Sequence, residues 1–465
     1  MIFTTLGETE EIGASCHYLM ADGSGILLDA GADPEKEGTA SMPDLDRIAD
    51  HPDWPVDHAV VTHGHHDHLG SLPMVVQRFP HVQVHMTSAT RQLANILLPA
   101  SARLQRRKVK EGSTTVDPLF DEDDVEASSY VYMAHPLENE FDLSGYNAGF
   151  EISGEFYDAG HVLGSVGVMV RFVDKGEQRN LFFTGDTGVQ SQTIIPGASY
   201  PDEQVDILVL ESTLGADPVA ETVTRRSEEK RLGEALSTVL NRGGTVLMPV
   251  FALGRGQEML ALIDRYKKRG LIHQDVPVYT AGMMRAIADV YDKTRMSTPR
   301  LNEEFQVYGV PQQRLPRSES GLNEALKQPG IMCVGSGMMF EQTISNKIAR
   351  QIVSNEKNGV FFVGYAREDS PGDLLIKARL EGKGTDVVLH PARGPQPVMC
   401  DVDKFRFSGH SHRRDLLKLV DKLRPSKIVL VHGEAKAKAW MAENIRFHHP
   451  DIEVHTPTPG QVLEL

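Results

Sequence analysis

The stretch Thr62-His63-Gly64-His65-His66-Asp67-His68-Leu69-Gly70 decides how the rest of this 465-residue chain is read. It follows a short apolar run, His58–Val61, that reads as a buried strand, so the histidines stand in the loop at its C-terminal end. Leu69–Phe79 reads as the helix beyond. Close spacing lets His63 and His65 address one metal ion while Asp67 and His68, on the next turn, address another. Imidazole nitrogen and carboxylate oxygen suit Zn²⁺, and donors packed this densely suit a two-metal site. A polar loop rich in histidine by accident is the bland alternative, and that density argues against it.

Two metals need more donors than these four, and later strand ends supply them. Asp158-Ala159-Gly160-His161 closes the strand Glu155–Asp158, with small residues that let the backbone approach closely. Phe183-Thr184-Gly185-Asp186-Thr187-Gly188 repeats the construction, and so does Val429-Leu430-Val431-His432-Gly433-Glu434. Each alone is weak, because a buried His or Asp at a strand end is more often a hydrogen-bonded structural residue. Their recurrence changes the balance.

Outward from these motifs, Ser15–Met20 and Gly25–Asp29 flank Asp22-Gly23 and suggest a hairpin. Val166–Phe172 and Leu181–Thr184 are further strands. From Asp206 to about Val363 short apolar runs (Ile207–Leu210, Val246–Pro249, Val276–Tyr279, Ile331–Val334, Val360–Val363) alternate with helical segments (Glu229–Leu240, Gly256–Arg269, Met284–Lys293, Gln342–Asn355). Such alternation argues a parallel sheet covered on both faces. Arg414–Leu423 and Lys436–Phe447 read as helices around a strand Lys427–Val431. Because the last chemical motif lies beyond the middle block, that block is expected to be inserted, giving domains 1–205, 206–394 and 395–465.

Composition excludes some classes. The apolar fraction of 40% is that of an ordinary globular protein. No apolar run reaches the roughly 20 residues of a membrane span, and Met1-Ile2-Phe3-Thr4 lacks a signal-peptide pattern. Cys16, Cys333 and Cys400 form no CxxC pair, so neither a disulfide framework nor a thiolate zinc site is expected. A soluble, cytoplasmic protein is the expectation. The net charge of −16 argues against simple basic-protein binding of nucleic acid, although a local groove can still be positive. The basic stretch Arg103, Arg106, Arg107, Lys108 and Lys110 reads equally as a solvated helix face or as a substrate-facing rim.

Asp29 in Leu27-Leu28-Asp29-Ala30-Gly31, the histidine motif, His161 and Asp186, in this order, resemble the metallo-β-lactamase superfamily. Further motifs resemble its β-CASP branch, the nucleases that include RNase J and the endonuclease subunit of the polyadenylation cleavage factor. Glu211 in Leu210-Glu211-Ser212-Thr213 matches the branch's acidic motif. His410 in Phe407-Ser408-Gly409-His410 and His432 match its two histidine motifs. Pro249-Val250-Phe251-Ala252-Leu253-Gly254-Arg255-Gly256-Gln257-Glu258 looks like the inserted domain's strand–loop–helix signature. Pro118-Leu119-Phe120, Ser336-Gly337-Met338 and Gly364-Tyr365 agree.

The resemblance implies an α/β fold: a metallo-β-lactamase αββα sandwich with an inserted β-CASP domain built on a parallel α/β sheet. It implies two Zn²⁺, one held by His63, His65, His161 and Asp186, the other by Asp67, His68, His432 and the shared Asp186. Asp29 would orient ligands, its plain alternative being a turn aspartate. Asp67, His410 and Glu211 are the implied catalytic residues, with Glu211 holding His410 as a proton donor. Arg255 and Ser336 read as phosphate contacts or as capping and loop residues. The implied reaction is hydrolysis of RNA phosphodiester bonds to 5′-phosphate and 3′-hydroxyl ends, with single-stranded RNA entering between the domains. No membrane partner is implied, and a homodimer is allowed.

This sequence departs from the family pattern at His412, where an acidic residue is usual, so Asp415 is expected to cap the next helix instead. Leu214-Gly215 and Ala281-Gly282-Met283-Met284 also depart, which touches substrate contacts and no ligand. Two rival functions are a DNA-processing relative, disfavoured because a histidine at the last motif accompanies RNA substrates, and a small-molecule hydrolase, which needs no inserted domain. A catalytically dead scaffold would have lost ligands. Internal cutting is expected alongside 5′-exonuclease activity, since the chain stops soon after His432 and its central motifs look more like the polyadenylation-factor group.

Overall fold

Residues 1–7 and 13–465 are described in the structure, a computed structural model. Asp22 and Gly23 take φ of 43° and 78°, the left-handed pair that lets a two-residue turn follow the twist of its strands. The expected hairpin forms there, with His17–Ala21 antiparallel to Ser24–Leu28 and Ala21 opposite Ser24.

This hairpin sits inside a seven-stranded sheet whose spatial order is Val462–Glu464, Ile2–Thr5, His17–Ala21, Ser24–Leu28, His58–Val60, Gln83–Thr87 and Tyr132–His135. A second seven-stranded sheet runs Glu453–His455, Lys427–Val431, Ile207–Glu211, Glu177–Phe183, Val166–Asp174, Ser153–Asp158 and Glu140–Asp142. Alternate side chains of both sheets (Phe3, Leu19, Ile26, Leu28 and Val60 against Phe156, Val168, Phe183, Val209 and Val429) fill one buried layer between them. On the other face of the first sheet, Leu27, Ala59 and Val84 meet Leu72, Val75 and Leu98 from helices Leu72–Arg78 and Ser88–Lys110. On the other face of the second, Leu208, Leu210 and Leu430 meet Leu416, Leu419, Met441 and Ile445 from helices Arg413–Leu423 and Ala435–His448. The result is the αββα layering.

The chain divides into two compact units, residues 1–191, 195–221 and 410–465 forming one and residues 192–194 and 222–409 the other. Both junctions fall later in the chain than the expected Asp206 and Gly394. Ile207–Glu211 belongs to the first unit because it pairs in parallel with Glu177–Phe183 and with Lys427–Val431. Asp401–Lys404 belongs to the second because it pairs with Gly359–Phe362. A short apolar run buried on both faces reads alike in either sheet, and only its pairing partner distinguishes them.

The second unit is a six-stranded sheet in the order Gln313–Arg314, Val278–Thr280, Gly330–Val334, Thr245–Pro249, Gly359–Phe362 and Asp401–Lys404. Every pairing in it is parallel. The four expected helices are present as Arg225–Asn241, Arg255–Lys268, Gly282–Lys293 and Ile344–Ile352, the last beginning after Thr343, whose hydroxyl caps the Asn346 N–H. Among the described residues, no helix is long and apolar enough to cross a membrane.

Candidate metal centre

All the donors the sequence singles out lie in the first unit, at the ends of its strands. The loop that carries His63 to His68 is fastened by its backbone: Ser15 N–H donates to the Asp67 carbonyl at 2.7 Å, Ala30 to His68 at 2.9 Å and Ala32 to His66 at 3.0 Å. The approach is so close that a Cβ on Gly31 would lie 1.8 Å from the Asp67 carbonyl oxygen. Asp29 and His432 take positive φ, 65° and 46°, a conformation non-glycine residues adopt where surrounding contacts impose it, often at functional sites.

His63, His65, His161 and Asp186 bring one donor atom each to within 4.8 Å of one another, and so do Asp67, His68 and His432. In the first group His63 Nε2 faces His65 Nδ1 at 3.0 Å, and His161 Nε2 faces the same atom at 3.2 Å. In the second His68 Nε2 faces His432 Nε2 at 3.2 Å, with Asp67 Oδ2 3.5 Å from His432 Nε2. Asp186 reaches both: its Oδ2 lies 3.7 Å from His63 and from His161 and 3.3 Å from His68, and its Oδ1 lies 3.3 Å from His432 Nδ1.

The outer atoms of these rings are fixed. Asp29 Oδ2 accepts from His68 Nδ1 at 2.7 Å, while Asp29 Oδ1 accepts from the Thr62 N–H and hydroxyl at 2.8 and 2.9 Å. Asp29 therefore orients His68 and the turn before His63, as a buried carboxylate behind a ligating imidazole does. Thr213 Oγ1 lies 3.0 Å from His432 Nδ1. With Nδ1–H of His68 committed to Asp29, its Nε2 is turned toward the other donors. Converging ring nitrogens and carboxylates suit a cation at their centre, a proton on His68 or a metal ion in its place. Asp186 Oδ1 is buried and makes no hydrogen bond, which agrees with a ligand role.

Electrostatics follow the carboxylates. Burial, and then the neighbouring His68, hold His63 well below the usual imidazole range. Burial would lower His68 as well, but Asp186, Asp29 and Asp67 outweigh it and push it well up. Burial would raise the carboxyls of Asp67 and Asp186, yet the surrounding histidines hold both below the ordinary carboxylate range.

Beside this centre stands the second feature. Glu211, the last residue of its strand, places both oxygens 3.1 Å from His410 Nδ1 and accepts the Thr187 N–H at 2.8 Å. His410 Nε2 then points inward, 4.0 Å from Asp186 Oδ2. Burial would depress this imidazole, but Glu211 and then Asp186 push it up to about 9.

Other expected residues fall elsewhere. Asp415 is not the cap of its helix; His412 precedes Arg413–Leu423, and Asp415 sits in the first turn with its Oδ2 3.1 Å from His412 Nε2. Arg255 is likewise inside helix Arg255–Lys268, after Gly254; its side chain is buried and that burial lowers it to about 10. Arg255 Nη1 and Ser336 Oγ, both in the second unit, are buried without hydrogen-bond partners. The basic stretch forms the last turns of the 23-residue helix Ser88–Lys110, where Arg106, Arg107 and Lys108 pair with Glu122, Glu111 and Glu37. Sequence reasoning missed the roles of Thr62 and Thr213, because a hydroxyl that orients a ring has no spacing signature.

A model of the metallo-beta-lactamase superfamily matches residues 11–220, a Beta-Casp domain model matches 256–375, and a model described as a Zn-dependent metallo-hydrolase RNA specificity domain matches 395–457. The chain belongs to the β-CASP branch of the metallo-β-lactamase superfamily. It is a β-CASP chain 29% identical over 468 residues to Endoribonuclease ysh-1 of Neurospora crassa, a match that covers 93% of this chain and 52% of that protein. Cleavage and polyadenylation specificity factor subunit 3 of Dictyostelium discoideum is 27% identical over 99% of this chain and 57% of its own length. An RNase J-like protein of Methanocaldococcus jannaschii is 28% identical, with 99% of this chain and 98% of that protein aligned. The β-CASP chain thus spans little more than half of the first two relatives. A crystal structure of a protein of unknown function from Enterococcus faecalis V583 superposes with a TM-score of 0.57 at 14% identity, covering 100% of this chain and 99% of that one, a likeness of fold.

Proposed function

We propose that this β-CASP chain is a two-zinc ribonuclease that hydrolyses phosphodiester bonds of single-stranded RNA, internally as well as from 5′ ends. One observation carries the reading: Asp186 lies within reach of two separate donor groups while the hydrogen-bonded Glu211–His410 pair stands against the same carboxylate. His63, His65, His161 and Asp186 would hold one ion; Asp67, His68, His432 and Asp186 the other. Two such ions supply Lewis acidity, making water acidic enough to attack near neutral pH and offsetting charge on the phosphoryl oxygens. The protein's own part is to orient and to move a proton. Asp29 and Thr62 fix the ring of His68 and the turn before His63. Glu211 accepts from His410 Nδ1 and stabilises the imidazolium, leaving Nε2–H to protonate the departing 3′-oxygen.

The match to an RNA specificity model, together with relatives named endoribonuclease and RNase J-like, supports RNA as substrate. The test is the zinc-loaded protein with end-labelled RNA and DNA of one sequence and with circular RNA. Linear products from the circle are expected, with the DNA left whole. An intact circle beside a degraded 5′-monophosphorylated linear RNA removes internal cutting, and RNA left whole in every form removes the ribonuclease reading.

A further inference from the structure

The backbone around Thr187 does more than follow Asp186. The Thr187 N–H donates to Glu211 Oε1 at 2.8 Å. Its carbonyl accepts twice from Ser411, from the N–H at 2.7 Å and from the hydroxyl at 2.9 Å. Its own hydroxyl donates to the Ala159 carbonyl at 3.1 Å, two residues before His161. The Tyr200 hydroxyl lies 2.5 Å from Thr187 Oγ1, and since burial holds that phenol well above its ordinary range, it stays protonated and donates. Ser411 Oγ in turn accepts from the Val189 N–H at 3.0 Å. Thr187 is fully buried and Ser411 nearly so. One residue thus joins the loop of His161, the strand end of Glu211 and the loop of His410, and the Ser411 hydroxyl fastens that last loop to the backbone on both sides of Gly188.

We infer that Ser411 and Thr187 are positioning residues that hold His410 in register with Asp186, so that its proton reaches the departing oxygen; the inference rests on the ribonuclease reading. In that step water oxygen bonds to phosphorus and gives up one proton to the surrounding solvent, the P–O3′ bond breaks with its electron pair going to O3′, the His410 Nε2 proton goes to O3′, and His410 regains a proton from solvent. Glu211 holds the ring's direction, but the ring's distance from the reacting bond is set by where residues 410 and 411 are anchored. Ser411→Ala removes the hydroxyl's bonds to the Thr187 carbonyl and from the Val189 N–H and keeps the bond from the Ser411 N–H. Thr187→Val removes the ties to Ala159 and Tyr200, while Thr187→Ser keeps a hydroxyl.

The readout that separates positioning from general weakening is the leaving group. An RNA with bridging 3′-sulfur at the cut position leaves as a thiolate and needs no proton. Ser411→Ala and Thr187→Val should lower kcat on ordinary RNA roughly 10–100-fold with KM little changed. On the 3′-sulfur RNA they should stay within about twofold of the unaltered protein, because proton donation no longer limits that reaction. Metal content should stay at the unaltered level, and Thr187→Ser should restore the rate on ordinary RNA. Equal losses on both RNAs, or no loss on either, overturn the inference while the unaltered protein cuts normally. Should Thr187→Val not fold, Tyr200→Phe replaces it, with a smaller defect of the same selectivity expected. An unaltered, metal-loaded protein that cuts neither RNA fails the ribonuclease reading itself, and the inference falls with it.

Discussion

Two sets of histidines in the first unit make the same kind of contact and do opposite things. In the metal centre, nitrogens of His63, His65, His161, His68 and His432 face one another at 3.0–3.2 Å. On the strands His58–Val60, Gln83–Thr87 and Tyr132–His135, His58 Nδ1 meets His85 Nε2 at 3.0 Å and His85 Nδ1 meets His135 Nε2 at 3.0 Å. The second set forms a row. His58 Nε2 lies 3.2 Å from the Ser144 carbonyl, which can only accept, so that nitrogen carries the hydrogen. His85 Nε2–H then donates to His58 and His135 Nε2–H to His85, each contact a donor–acceptor pair between neutral rings. Phe141 stacks on both His85 and His135, and burial pushes His85 down to about 3. In the metal centre the nitrogens converge, and Asp29, Asp67 and Asp186 supply negative charge among them. Convergence and carboxylates distinguish a metal site from a hydrogen-bonded row; histidine count does not.

The comparison can be broken by substitution. Asp186→Ala should abolish detectable cleavage and lower metal content, measured by elemental analysis after gel filtration; lost activity at full occupancy would reassign Asp186. His410→Ala should slow RNA cleavage by ~10²–10⁴-fold and leave metal content untouched, and a loss of zinc would make it a ligand. Asp29→Ala, which frees His68 Nδ1, should weaken metal affinity by roughly 10–100-fold in a chelator competition; unaltered affinity would leave Asp29 as a turn residue.

At the smallest end, His85→Gln should leave metal content and RNA cleavage as they are and alter only stability against pH. The folded pKa of His85 is depressed below its unfolded value, so the unfolded chain takes up more protons there as the medium acidifies. Its contribution is whole above about pH 6.5 and is lost as pH falls toward about 3. Urea unfolding across that window should show a shallower acid decline in His85→Gln than in the unaltered chain, and parallel declines would refute the neutral row.

The candidate metal donors were legible because most sit within a few residues of a strand end, and His63 to His68 lie together in the chain. The four-layer fold was implied by the family resemblance that these motifs carry, not by the strands alone. The row was not legible: His58, His85 and His135 are separated by 27 and 50 residues, and only the parallel pairing of three strands makes them neighbours. The unit boundaries were misplaced for the same reason, since Ile207–Glu211 carries no mark of the sheet it joins. Asp415 was expected to cap its helix because His412 stands where the family usually has an acidic residue, but the helix begins two residues earlier, at Arg413. Thr187 and Ser411 escaped notice because hydroxyls and backbone groups that tie loops together have no spacing signature.

The chain separation of the two donor groups sets an order in time. His63, His65, His161 and Asp186 all precede residue 187, whereas His68 meets His432 across 364 residues. At ~5–20 residues per second, the roughly 250 residues between Asp186 and His432 take about 12–50 s to synthesise. During that interval the growing chain owns every donor of the first group and lacks one of the second. Lys427–Val431 must then slot beside Ile207–Glu211 as an inner strand, a long loop closure that precedes its reward. The newborn protein therefore passes through a stage in which every member of the first candidate donor group has been made, and the second group is whole only once His432, at the end of its strand, has been added.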